Sequence, residues 1–274
     1  MKPLIACLPP SLGIALWLLL QGAVSAQEPT ESLDARRLID ATGFEGIVLI
    51  HDLRQNTSLA GHAELADERV LPASTFKIFS SLVILELGIV ADRNTVVRWD
   101  GVQRSRPEIN RDLTLTEAFR LSAVPHYQQM VKRIGAARMQ HYIDAAGYGN
   151  GDISGGIDTF WLTGGLRISA SEQIAFLQRL YRDDLPFSAE VMASVREMMV
   201  TETGSDYLVR AKTGWATPDG GDNIGWWAGW VERNDEVVFF ASLLRTNKPG
   251  STFGAARLSL ARAVLQQQGV LPQD

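Results

Sequence analysis

The sequence predicts an α+β fold in which one antiparallel sheet draws strands from both ends of the chain and a helical lobe is inserted between them. Three observations carry this. Gly46–Leu53 is a short run rich in β-branched residues and leucine, and it reads as a strand. The stretch from about 112 to 200 is mainly helical in pattern. Strand-like runs then return at Tyr207–Thr213, Gly225–Glu232 and Glu236–Leu244, with Arg233-Asn-Asp-Glu236 as a hairpin turn between the last two. A ligand site is expected where lobe meets sheet, since pockets favour such junctions.

Taken in order, residues 1–26 read as a signal peptide. Lys2 gives the positive start, Leu12–Leu20 is an apolar run broken by Gly13, and Val24-Ser25-Ala26 supplies small residues before a cut at Gln27. The run is too short for a spanning helix, which needs about 20 apolar residues, so no stable membrane anchor is expected. Leu4-Ile5-Ala6-Cys7 looks like a lipoprotein cleavage box, but no apolar region precedes it. Residues 27–274 then form a single catalytic domain, with the helical lobe at about 90–200. Ser32–Ala41 reads as a short helix ending near Gly43. Ser74–Leu87 reads as a helix with Pro72 and Ser74 at its start and Gly88 past its end. Its apolar residues Phe76, Ile78, Phe79, Leu82, Val83, Leu85 and Leu87 cover most of the circumference, the mark of a buried central helix. Thr114-Leu-Thr-Glu117 and Ser169-Ala-Ser-Glu172 resemble capping boxes. A final helix is expected from about Thr252 to Gln268.

The chain has 274 residues, 46% hydrophobic and 21% charged, an ordinary globular mixture long enough for a sizeable core. Its net charge is −5, and loss of Lys2 makes it −6. A mildly acidic chain without a polybasic run is a poor nucleic-acid binder. Cys7 is the only cysteine, so the mature protein has neither a disulfide nor a thiol nucleophile. His51, His62, His126 and His141 show no metal-ligand spacing and read as surface or packing residues, and no metal is expected. No Gly-x-Ser-x-Gly elbow supports a Ser-His-Asp triad.

The chemistry lies in three short motifs. Ser74-Thr-Phe-Lys77 puts a hydroxyl and an amine one helical turn apart on one face, and a serine is a weak nucleophile until a base takes its proton. Alone, S-x-x-K is as readily a surface serine and lysine. Here Lys77 lies in an apolar helix, where a plain ammonium is costly. Ser122-Ala-Val124 sits at the end of a predicted helix, and Lys212-Thr-Gly214 on a predicted strand, where the glycine lets another backbone approach. Tyr148-Gly-Asn150 alone reads as a turn. S-x-x-K followed by a helical serine and a strand K-T-G is the pattern of penicillin-recognising serine enzymes.

The chain specifically resembles the class D, oxacillinase-type, serine β-lactamases. The resemblance is carried by Pro72-Ala-Ser-Thr-Phe-Lys77, Ser122-Ala-Val124, Tyr148-Gly-Asn150, Phe160-Trp-Leu162, Leu166-Arg-Ile-Ser169, Lys212-Thr-Gly-Trp215, Gly225-Trp-Trp227 and Gly229-Trp-Val231, and runs from about residue 33 to 272. It implies hydrolysis of β-lactams, with resistance to them, through a Ser74 acyl-enzyme. Lys77 would be N-carboxylated by carbon dioxide or bicarbonate and act as general base, with no other cofactor. Burial favours the neutral amine that this requires, and Val124, Phe76 and Leu162 can furnish the apolar wall. The resemblance further implies that Trp161 donates its indole N–H to the carbamate and that Ser122 passes a proton to the leaving nitrogen. The backbone N–H groups of Ser74 and Trp215 would form the oxyanion hole. Lys212, Thr213 and Arg257 would hold the substrate carboxylate beside Gly214. Tyr148-Gly-Asn150 would shape the pocket. The implied location is the periplasm, and the implied state monomer or homodimer.

Two relatives of that pattern compete. A penicillin-binding transpeptidase or carboxypeptidase shares S-x-x-K and K-T-G but typically has S-x-N. A β-lactam sensor domain, whose acyl-enzyme persists, is normally the tail of a multi-spanning membrane protein and also tends to carry asparagine at that third position. Val124 argues against both. Class A β-lactamases use a Glu-x-x-x-Asn motif, which does not occur between Tyr148 and Lys212.

Overall fold

A computed structural model of the chain describes residues 28–218 and 220–273. The expected signal peptide and Cys7 lie outside them. In chain order the elements are β1 (Thr30–Glu31), α1 (Leu33–Thr42), β2 (Glu45–Asp52), β3 (Thr57–Gly61), α2 (Phe76–Glu86), β4 (Val96–Val97), β5 (Leu113–Thr114) and α3 (Leu115–Arg120). Next come α4 (Val124–Ile134), α5 (Ala136–Ala146), α6 (Ala170–Tyr181), α7 (Ala189–Met198), β6 (Val200–Thr203), β7 (Tyr207–Ala216), β8 (Asn223–Arg233), β9 (Glu236–Thr246) and α8 (Phe253–Gln267).

One seven-stranded sheet runs β1-β3-β2-β9-β8-β7-β6, and β4 and β5 form a separate ribbon. The sheet unites the two ends of the chain as expected, because β2 pairs antiparallel with β9 from Glu45↔Arg245 to Asp52↔Val238. Every neighbouring pair is antiparallel except β1 with β3. The β8–β9 hairpin closes at Arg233↔Glu236 over two residues, the first of which, Asn234, takes a positive φ of 52°. That left-handed conformation matches the right-handed twist of the flanking strands.

Both faces of the sheet are covered, so its central strands are apolar without alternation. In β8, Trp226, Ala228 and Trp230 face the helical lobe with Phe239 and Leu243 of β9. Trp227 and Val231 face the opposite layer with Phe240, Val264 and Ile39. Helix α1 ends as its glycine signals, with Gly43 at φ 70° donating to the carbonyl of Asp40. Both capping boxes form. Glu117 N donates to Thr114 Oγ1 at 3.1 Å while Thr114 N donates to Glu117 Oε2 at 2.8 Å, and Ser169 with Glu172 repeats this ahead of α6.

Helix α2 is the centre of the molecule. Every residue from Phe76 to Ile84 is buried, and each large apolar side chain so removed from water contributes about 1.5–3 kcal/mol. Two local readings need correction. Ser74 is not in the α-helix but in a 3₁₀ turn, Ala73–Thr75, that leads into it. Ser122 is not helical either. It stands in the break between α3 and α4 with φ 51°. Ala73, next to Ser74, also has φ 51°. Left-handed backbone at a residue with a Cβ costs roughly 1–2 kcal/mol, and it persists here because surrounding bonds over-determine it.

Candidate active site

Several bonds fix the turn that carries Ser74. Ala73 N donates to the carbonyl of Trp161 at 3.1 Å, Thr75 Oγ1 donates to Pro72 O at 2.7 Å, and Trp226 Nε1 donates to Leu71 O at 2.9 Å. Strand β7 closes against the same turn. A Cβ on Gly214 would stand 3.0 Å from Pro72 O and 3.3 Å from the Ala73 Cβ, so glycine is what allows the approach.

Lys77 Nζ lies 2.9 Å from Ser74 Oγ, so the i, i+3 spacing holds although the first residue is in a 3₁₀ turn. Burial, together with the nearby charges of Lys212 and Arg106, pushes the lysine well below its ordinary pKa. Nζ stands 5.1 Å above the ring of Tyr127, whose hydroxyl is engaged by Ser81 Oγ at 2.8 Å. Ser122 Oγ accepts a hydrogen bond from Lys212 Nζ, which also donates to Thr213 O at 3.1 Å. Burial, with Arg257 and Arg106 adding repulsion, brings Lys212 down to about 7.

A cavity of about 480 Å³ opens over these groups, lined by Ser74, Ser122 and Val124 on the lobe side and by Thr213, Gly214, Trp215 and Arg257 on the sheet side. Trp215 is 40% exposed and forms an outer wall. Its indole N–H is held by Asn223 Oδ1 at 3.0 Å, and its ring packs edge-on against Phe253. Arg257, in the first turns of α8, donates to the carbonyls of Gly214 and Gly254 and lies 5.4 Å over the Trp215 ring. The charged and hydroxyl groups singled out in the sequence therefore meet in one place.

Trp161 does not line this cavity. It is buried behind it, stacked on Phe76 at 5.5 Å, and its indole N–H has no partner among the described residues. A buried N–H without an acceptor costs about 1–3 kcal/mol. Tyr148-Gly-Asn150 also sits away from the cavity. Tyr148 packs into the core against Phe76, Phe79 and Phe176. Asn150 Oδ1 accepts from Arg167 N at 2.9 Å, and its amide donates to Gly165 O at 3.0 Å. The contacts of the motif are thus with the core and with Gly165 and Arg167, in the loop that follows Trp161.

Three lining residues escaped the sequence reading, Leu121 and two arginines. Arg106 donates to Glu108 at 2.8 Å and to the carbonyl of Leu121 at 2.9 Å, and Arg120 ends α3. Neither belongs to a motif. Among the described residues, no group of three or more His, Cys, Asp or Glu side chains gathers to hold a metal ion, and no helix is long and apolar enough to cross a membrane.

The fold and this serine–lysine site define a class. A family model described as the penicillin binding protein transpeptidase domain matches residues 28–266, and the chain belongs to that family. Within it the chain is similar to the β-lactamase OXA-48 of Klebsiella pneumoniae, 42% identical over 83% of this chain and 85% of that one. It is also similar to OXA-10 of Pseudomonas aeruginosa, 36% identical over 92% and 95%. The crystal structure of the class D β-lactamase YbXI from Nostoc superposes with a TM-score of 0.83 at 40% identity, covering 86% of this chain and 99% of that one. The chain belongs to the class D β-lactamases.

Proposed function

We propose that this protein hydrolyses the β-lactam ring of penicillins and related antibiotics through a Ser74 acyl-enzyme, with N-carboxylated Lys77 as general base. β-Lactam hydrolysis is the activity of the family to which the chain belongs. The observation that carries the residue assignment is the wholly buried Lys77 amine 2.9 Å from Ser74 Oγ. A lysine kept neutral there can combine with carbon dioxide, which an ammonium cannot do.

Ser74 Oγ attacks the lactam carbonyl as its proton passes to the base at Lys77. The backbone N–H groups of Ser74 and Trp215 stabilise the developing oxyanion. Ser122, hydrogen-bonded to Lys212, delivers a proton to the departing nitrogen. Lys212, Thr213 and Arg257 hold the substrate carboxylate. Carboxylated, Lys77 is also the base that activates water for deacylation, and Trp161 supplies the N–H that holds the modification. The same reading removes residues 1–26, makes residues 27–274 one catalytic domain, and puts the working enzyme in the periplasm.

Mixing the purified protein with a chromogenic cephalosporin tests the reading. Sustained hydrolysis over many equivalents is the expected result. A burst limited to one equivalent per site would instead indicate a penicillin-binding or sensor protein.

A further inference from the structure

We propose that Arg120 is a specificity-determining residue that recognises a second anionic group on the substrate, so that the enzyme favours dianionic β-lactams. The proposal rests on the β-lactamase reading and names a substrate class for it. A β-lactam with one carboxylate is already served by Lys212, Thr213 and Arg257. Yet Arg106 and Arg120 also line the cavity around Ser74, and no carboxylate side chain does.

These cations are not equivalent. The Arg106 charge is countered by Glu108 at 2.8 Å, and its guanidinium is fixed on the Leu121 carbonyl. Arg257 is tied to two carbonyls. Arg120 is exposed at the last residue of α3, and among the described residues no hydrogen bond or ion pair engages its guanidinium. The acids nearby are already taken. Glu117 is held by Arg111 at 3.0 Å and by Thr114, and Glu202 by Arg262 at 2.8 Å and by Tyr207. A solvated surface arginine is the ordinary alternative, and the position of Arg120 argues against it. The residue also lines a neighbouring cavity of about 710 Å³ that shares Thr213 with the first and reaches Leu258 and Ser259 on α8. An unpaired guanidinium at the junction of two cavities, beside the residues that take one carboxylate, is placed to take another.

The test measures kcat and KM of wild type, Arg120→Gln and Arg120→Lys with bicarbonate present. Two matched substrate pairs are used. One is a penicillin with and without a second carboxylate on its acylamino side chain. The other is a cephalosporin with and without an anionic group on its ring substituent. In at least one pair, Arg120→Gln lowers the dianion-to-monoanion ratio of kcat/KM by about fivefold, the scale of an exposed charge pair. The change falls in KM, Arg120→Lys recovers part of it, and the responding pair shows which end of the substrate Arg120 meets. Added salt shrinks the wild-type ratio, because the screening length falls from about 10 Å at 0.1 M to about 3 Å at 1 M. Turnover with a ratio unchanged by Arg120→Gln in both pairs, or a kcat loss shared equally by mono- and dianions, overturns the role of Arg120. No turnover of any of the four substrates by wild type overturns the β-lactamase reading itself, and this inference with it.

Discussion

Lys77 Nζ stands 2.9 Å from Ser74 Oγ with no exposed surface of its own. The hydroxyl lines the cavity while the amine behind it is sealed from solvent, and most of what the enzyme is expected to do follows from the state of that amine.

Replacing Lys77 with alanine is expected to leave substrate binding nearly intact while stalling deacylation. Mass spectrometry after mixing with a penicillin should show an acyl-enzyme that persists, with turnover down by at least about a hundredfold, the usual scale of a lost general base. Full turnover by Lys77→Ala would remove Lys77 from the mechanism.

The pH dependence has a definite sign on each side. Burial depresses Lys77, so its neutral form is present above the lowered pKa and is lost as pH falls through it. Activity should therefore fall toward acid and recover with added bicarbonate. Lys212, lowered to about 7 mainly by burial, is a cation below that value and neutral above it. KM for a penicillin should then rise as pH climbs past about 7, giving a bell-shaped kcat/KM. Stability follows the same group. The unfolded lysine titrates near 10.4, so between about 7 and about 10.4 the unfolded chain holds a proton that the native one lacks, and stability rises with pH. Lys212→Met should make that rise shallower in a series of urea titrations, the remainder belonging to the likewise depressed Lys77.

Trp161→Phe keeps a ring to stack on Phe76 and removes the orphaned N–H together with part of the buried indole volume. The variant should fold normally yet need a higher bicarbonate concentration for half-maximal rate. Carbon-13 NMR with labelled bicarbonate should show weaker carbamate occupancy at equal concentration. Equal bicarbonate dependence of variant and wild type would assign Trp161 a packing role only.

Gly214→Ala should lower stability by about 1–3 kcal/mol, the scale of overpacking, since the new methyl meets Pro72 O at 3.0 Å and the Trp226 Cβ at 3.2 Å. The rate should suffer more than the melting temperature implies, because β7 and the Ser74 turn are pushed apart. Thermal unfolding and steady-state kinetics on one preparation separate the two effects.

Arg257→Ala should raise KM for penicillins by about tenfold with kcat less affected, as for a lost charge-assisted contact. Arg257→Lys should recover only part of it, because an ammonium cannot span the carbonyls of Gly214 and Gly254 as a guanidinium does. An unchanged KM in Arg257→Ala would exclude this arginine from carboxylate binding.

What the sequence disclosed had strong local grammar. Gly43 announced the end of α1, Thr114 with Glu117 and Ser169 with Glu172 announced two helix starts, and the apolar girdle of α2 announced its burial. Strands β3 and β6 went unread because they are short and carry little apolar signal. Four of the nine residues of Thr57–Gly61 and Val200–Thr203 are Thr or Ser, and burial there is partial. The positive φ of Ala73 and Ser122 was hidden because glycine or asparagine normally marks that conformation. Arg106 was invisible for another reason. Its anchor is the carbonyl of Leu121, a backbone group present at every position and so without a signature in the sequence.

The pairing of β2 with β9 has a consequence for how the chain is made. Glu45–Asp52 meets its central neighbour only when residues 236–246 arrive, with Arg245 following Glu45 by 200 residues. Contacts this remote in sequence are slow to form. A chain emerging from the ribosome therefore cannot complete its sheet until β9 exists, and the cleft between sheet and lobe waits for that late strand.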